Sequence, residues 1–143
     1  MFTTIVVGTD GSATAGAAMA LAVQIARESG GTLHLVVGVK APTSVSVPAA
    51  GVHVVDPSFG THKSHAAQRM LEELAAGVEG IDVEIHTAVG DPADVIVRRA
   101  DEIGADLIVV GSKGMRGTRR ILGSVPNRVA HKAGCHVLIA KTA

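Results

Sequence analysis

Apolar and polar positions along the chain alternate between two patterns, short β-branched runs and longer stretches with helical spacing. "TTIVVG" at 3–8 predicts a first strand, and "SATAGAAMALAVQIARESG" at 12–30 predicts a helix that opens on a serine cap and stops at glycine. Its apolar character almost all round suits packing against a sheet. "TLHLVVGV" at 32–39 predicts a second, buried strand. Residues 41–60 are rich in Pro, Ser, Gly and Ala with weak periodicity, which predicts a long, mobile loop. "HKSHAAQRMLEELAA" at 62–76 is amphipathic, with Met70, Leu71 and Leu74 on one side, and "IDVEIHTAV" at 81–89 alternates as a strand does. Asp91 then stands as a helix cap with Pro92 at the first helical position, followed by the apolar strand "ADLIVVG" ending at Gly111. A short helix over 125–132 and a last strand over 136–141 complete the pattern.

Strands separated by helices imply right-handed crossovers. The expected fold is therefore α/β: a three-layer sandwich, with a Rossmann-like five-stranded parallel sheet and helices on both faces. Ligands of such sheets bind beyond the carboxyl ends of the strands, where the strand order reverses. "GTDGS" after the first strand and "GSKGMRG" after the fourth are the segments expected on that rim.

Composition narrows the choice. At 143 residues the chain is expected to form a single domain spanning 1–143. Apolar residues make up 47% of it, yet Phe2 and Phe59 are its only aromatics, so Val, Ile, Leu and Ala must fill the core. Thirteen basic residues balance thirteen acidic ones, and base-stacking platforms are missing, which argues against a nucleic-acid partner. The single cysteine, Cys135, excludes an internal disulfide and reads as a buried, inert thiol. No apolar run approaches the roughly 18 residues of a membrane span, and the amino terminus lacks the features of a signal peptide. A cytoplasmic protein with no membrane partner is expected.

The glycines carry the candidate chemistry. Gly111 and Gly114 directly follow the fourth strand, and Gly123 and Ser124 precede the last helix. Glycine permits positive φ and lets successive N–H groups converge on an anion, which the positive end of a helix dipole also favours. Lys113, between two of the glycines, is the preferred cation, with Arg116, Arg119 and Arg120 nearby. Neither a G-x-x-x-x-G-K-[ST] nor a G-x-G-x-x-G motif is present. The spacing alone is compatible with a phosphate cradle and equally with simple turns and caps.

Three segments, "IVVGTDGS" at 5–12, "VGDPADVIVRRADEIGADLIVVGSKG" at 89–114 and "LGSVPNRVAHKAGCHVLIAK" at 122–141, together resemble the universal stress proteins in their nucleotide-binding branch. The resemblance spans essentially the whole chain. ATP-binding members carry G-x2-G-x9-G-[ST]; here eight residues, 115–122, separate Gly114 from Gly123, one fewer than in that pattern. The resemblance implies that ATP, with or without magnesium, is the cofactor. Thr9 and Asp10 would lie at the adenosine, and Val39 would offer backbone groups to the adenine edge. Gly8, where some members have Pro, would form a smaller wall. Gly111 and Gly114 would line ribose and phosphates with Val110 beneath them, and Gly123, Ser124, Val125 and Pro126 would surround the phosphate tail. The residues themselves leave Asp10 two roles, hydrogen-bond acceptor for the nucleoside or cap of the first helix. Cyclic AMP is the alternative ligand, since a shortened loop suits one phosphate. A further alternative is an interaction module with a vestigial pocket. The resemblance also implies a homodimer through the last strand, 136–141. With no general base, arginine finger or Walker-type metal ligand, the chain is expected to support at most slow hydrolysis.

Other polar clusters point to no chemistry. His53, His62 and His65 lack a fixed ligand spacing, so no metal site is assigned. His34, His86 and His131 have no adjacent Ser or Cys nucleophile, Cys135 and His136 are neighbours that point to opposite faces if extended, and the pairs Asp82/Glu84 and Asp101/Glu102 read as solvent-facing charges.

Overall fold

A computed structural model describes residues 2–9, 13–39, 45–47, 52–54, 57–112 and 124–141. In chain order the elements are β1 (Thr4–Gly8), α1 (Ala13–Ser29), β2 (Thr32–Val39), β3 (Val45–Val47), β4 (Val52–Val54), α2 (Pro57–Ala76), β5 (Val83–Val89), α3 (Pro92–Ile103), β6 (Leu107–Gly111), α4 (Ser124–Lys132) and β7 (His136–Ala140). Five strands form one sheet in the order β5-β2-β1-β6-β7, and every pairing in it is parallel. This is the α/β architecture that the alternation predicts.

Successive strand residues feed opposite faces of the sheet. Ile5, Val7, Leu33, Leu35, Leu107 and Val109 meet Ala18, Met19, Ala22 and Ala26 of α1 and Leu71 of α2. Val6, Val36, Ile108 and Val110 meet Ala93, Val95, Ile96, Val97 and Ala100 of α3 and Val129 of α4. The buried α1 positions 18, 22 and 26 recur every four residues, and small alanines there let the helix lie close to the sheet. The core is aliphatic, as the composition demands.

The segment 41–60 departs from expectation. It carries the antiparallel ladder β3–β4, with Val45 opposite Val54 and Val47 opposite Val52, and α2 already begins at Pro57. Val-Ser-Val and Val-His-Val are too short for periodicity to register among Pro, Gly and Ala. Pro57 marks a helix start because its fixed φ and missing N–H suit the first turn, and Gly60 lies within α2 rather than ahead of it. Residues 41–44, 48–51 and 55–56 of that expected loop lie outside the described residues.

α3 shows how the sequence sets an element locally. Asp91 has extended backbone angles (φ −62°, ψ 130°), and its carboxylate accepts from the N–H groups of Ala93 and Asp94. Gly104 ends the helix in the left-handed region (φ 66°, ψ 40°), where a side chain would be strained. At the opposite rim of the sheet, Asp106 accepts from the backbone N–H groups of Thr3 and Thr4, tying the start of the chain to β6.

Candidate functional site

From β1 the chain builds outward through β2 to β5, then crosses back to β6 and β7 on the other side of β1. The strand order therefore reverses between β1 and β6, and the carboxyl ends of these neighbours diverge into different connections. In the β1–β6 register Val7 lies opposite Val109. One step further along, Gly8 lies against Val110, and Thr9 and Gly111 come next along their two chains. The switch point thus brings together four of the residues expected on the rim. Because each crossover helix starts where its strand ends, the amino termini of α1, α3 and α4 belong to this same rim.

The roles available to these residues are not uniform. Gly8 faces α3: a Cβ there would collide with Ile96 Cδ1 and come within 3.3 Å of Val110 Cγ1. Its bare backbone serves helix packing, and Val110, 2% exposed, turns its side chain into the same core. Both therefore present backbone to the rim. Thr9 is buried and its N–H donates to the Val36 carbonyl at 3.1 Å, while the Ser112 N–H donates to the Ala140 carbonyl at 2.9 Å. Buried Ser112 belongs to the expected rim segment "GSKGMRG", although sequence reasoning assigns it no role.

At the end of β2, Val39 is buried and its carbonyl accepts from the Gly90 N–H at 2.7 Å. Opposite it in the β2–β5 register stands Val89, 52% exposed. An aliphatic residue left open beside Val39 is a rim feature that sequence reasoning misses; its signal is that two neighbouring strands both end in Val.

α4 begins at Ser124 itself, one residue earlier than expected. Ser124 is exposed, Val125 half-buried and Pro126 buried. The first turn can thus offer the amides of Ser124 and Val125, whereas Pro126 has no N–H to give. Asp10, Lys113, Gly114 and Gly123, with Arg116, Arg119 and Arg120, lie outside the described residues.

Two charged groups connect α4 to α3. Arg128 donates to Asp91 Oδ2 at 2.5 Å and to Asp94 Oδ1 at 3.4 Å, and Lys132 donates to the same Asp94 oxygen at 2.5 Å. The Arg128 hydrogen bond, helped by the N–H groups of Asp94 and Ala93, holds the Asp91 carboxyl below its ordinary range against a smaller opposing effect of burial. Sequence reasoning gives Asp91 only the role of cap.

Away from the rim, His34 is buried with Nδ1 3.3 Å from Glu84 Oε2. Glu84 is therefore not a purely solvent-facing charge. Cys135 is half-buried, and burial, with Asp101 and Asp106 nearby, pushes its thiol up in pKa and away from reactivity. Among the described residues no three His, Cys, Asp or Glu groups could hold a metal ion, and no helix is long and apolar enough to cross a membrane. The side chains of His53 and His62 lie outside the described residues.

Comparison with known proteins places this geometry. The universal stress protein family matches residues 1–141. Universal stress protein MJ0531 of Methanocaldococcus jannaschii is 35% identical over 144 residues, covering 99% of this chain and 83% of that protein. Universal stress protein Rv1636 of Mycobacterium tuberculosis is 36% identical over 146 residues, covering 99% and 97% respectively. A crystal structure of a universal stress protein in complex with cAMP is similar with a TM-score of 0.72 at 35% identity, covering 99% of both chains.

Proposed function

The chain belongs to the universal stress protein family, and from that premise we propose that it binds an adenine nucleotide, ATP, at the switch point between β1 and β6. The protein then acts as a single-domain, cytoplasmic regulatory module of the stress response, dimerising through β7. One observation carries the reading: the strand order reverses between β1 and β6, whose carboxyl ends at Gly8 and Gly111 lie on the rim to which the amino terminus of α4 belongs. Such a rim offers backbone N–H groups and a helix dipole to a phosphate chain, and a wall of aliphatic side chains to a base.

Gly8, Thr9, Asp10 and Val39 are assigned to the adenosine end. Val110, Gly111, Lys113, Gly114, Gly123, Ser124, Val125 and Pro126 are assigned to the ribose and phosphate end. Gly8, Val110 and Pro126 contribute by shaping the backbone, since their own side-chain positions face the protein interior. Val89 is added as an aliphatic wall beside Val39.

Cyclic AMP is the second reading. It is favoured by the complex of the 35% identical relative with that nucleotide and by the eight-residue spacing from Gly114 to Gly123. Titration calorimetry separates the two, because the chain has no Trp or Tyr to report binding by fluorescence. Nucleotide-stripped protein is titrated with ATP and with cyclic AMP, each with and without magnesium. Saturable ATP heat is expected, and Gly114→Val abolishes it while unfolding stays cooperative. Heat from cyclic AMP alone selects the second reading. No heat from either leaves the interaction module with a vestigial pocket.

A further inference from the structure

α4 has little apolar anchorage for an element assigned so much of the site. Of its nine residues only Pro126 and Val129 are buried, with Val125 packing at the edge of the same core. Two buried side chains resist removal of a helix from a sheet, but constrain its sliding and rotation weakly. A further, directional constraint comes from polar contacts. Arg128 and Lys132 stand one turn apart on one side of α4, and both reach the amino-terminal turn of α3. Ser124 lies one turn before Arg128 on that same side, so the position of the Arg128 guanidinium sets where Ser124 sits.

The Asp91 carboxylate is shared between two tasks. Oδ1 caps α3 by accepting from Ala93 and Asp94, and Oδ2 receives Arg128. Its neighbour Gly90 donates to the carbonyl of Val39. An unbroken path therefore runs from the end of β2, through Gly90 and Asp91, to Arg128 on α4. The path has an electrostatic side as well. Asp91 and Asp94 put two negative charges beside the rim that would receive a phosphate chain, and Arg128 with Lys132 offsets them.

We infer that Arg128 is a positioning residue for nucleotide binding: by gripping Asp91 and Asp94 it fixes the amino terminus of α4 against the strand rim and neutralises the carboxylates facing the phosphates. The inference rests on the nucleotide reading above. It assigns Arg128 no contact with the ligand, because both terminal nitrogens are already directed at carboxylates. A guanidinium spans two carboxylates in a fixed fork, which a lysine ammonium cannot reproduce.

The test is a calorimetric comparison of ATP with adenosine, on wild type, Arg128→Met, Arg128→Lys, Asp91→Asn and the Arg128→Met/Asp91→Asn pair, with the unfolding midpoint of each. Arg128→Met is expected to weaken ATP at least about tenfold and adenosine less than about threefold. A purely structural role would lower both together. Arg128→Lys, which keeps the charge but loses the fork, is expected to fall between wild type and Arg128→Met. Asp91→Asn preserves the cap, so it remains informative should Arg128→Met not fold; it weakens ATP selectively through the lost grip, but less than Arg128→Met, because it also removes one of the carboxylates that Arg128 offsets. The double variant loses less than the product of the two single losses, as residues sharing one contact do. Unchanged ATP affinity in folded Arg128→Met, or equal losses for ATP and adenosine, overturns the inference and leaves the nucleotide reading standing. Failure of wild type to bind ATP overturns both.

Discussion

A single residue here can carry a pH dependence that no motif announces. His34 is buried on β2, facing Glu84 of β5 and Arg99 of α3, with His86 two residues beyond Glu84 on β5. Burial, opposed by Glu84 and reinforced by Arg99, holds the His34 imidazole below its ordinary value of 6.5. His86 is shifted the same way, by burial first and then by Arg99. The unfolded chain therefore takes up these protons before the folded one does. The associated stability is fully present above about pH 6.5 and is lost as pH falls through the lowered native values. The urea midpoint is accordingly expected to drop between pH 7 and pH 5, and His34→Gln flattens that slope; an unchanged slope in the variant would remove His34 from the effect. The histidine is visible in the sequence as a strand residue. Its burial and its neighbours are not, because Glu84 and Arg99 come from elements that only the sheet brings together.

At the scale of elements, the meeting of β2 with α3 decides the shape of the rim. A Cβ on Gly38 would lie 2.7 Å from Pro92 Cα and 3.1 Å from Val95 Cβ. Because Pro92 Cα is backbone, no side-chain rotation relieves the contact, and α3 itself must move. Gly38→Ala is expected to cost about 1–3 kcal/mol by overpacking, and to weaken ATP by shifting the Val39–Gly90 contact. Gly16 is the contrast, exposed within α1, where an added methyl would meet nothing within 4 Å. Gly16→Ala there should gain up to about 1 kcal/mol through the better helix propensity of alanine. Denaturant titration of both variants checks the opposite signs; destabilisation by Gly16→Ala would show that α1 is packed on that side too. The elements themselves are legible from patterning wherever an amphipathic or apolar run is long enough. α3 is readable with its cap and its first-turn proline in place, whereas β3, β4 and the first turn of α2 are lost among Pro, Gly and Ala.

For the whole molecule, the sheet leaves two edges, β5 and β7. β7 is short, and its half-buried Val137, Leu138 and Ile139 make it an apolar edge that gains from being covered. Dimerisation there predicts a sedimentation mass twice that of the chain at micromolar concentration, with β7 amides increasingly protected from exchange as concentration rises. A monomer at all concentrations would remove the dimer, and protection appearing on β5 would move it to the other edge. What the sequence by itself determined is the alternation of strands and helices, hence a parallel sheet, and the aliphatic character of its core, because both depend on local periodicity and composition. It also pointed to the ends of β1 and β6, since glycine placement after a strand is a local signal. Only the tertiary structure decided which rim residues, like Gly8, Val110 and Pro126, have their side-chain positions committed to packing. It alone joined Asp91 to Arg128 and Val39 to Gly90, because contacts between residues distant in the chain follow from strand order, and strand order is a property of the assembled sheet.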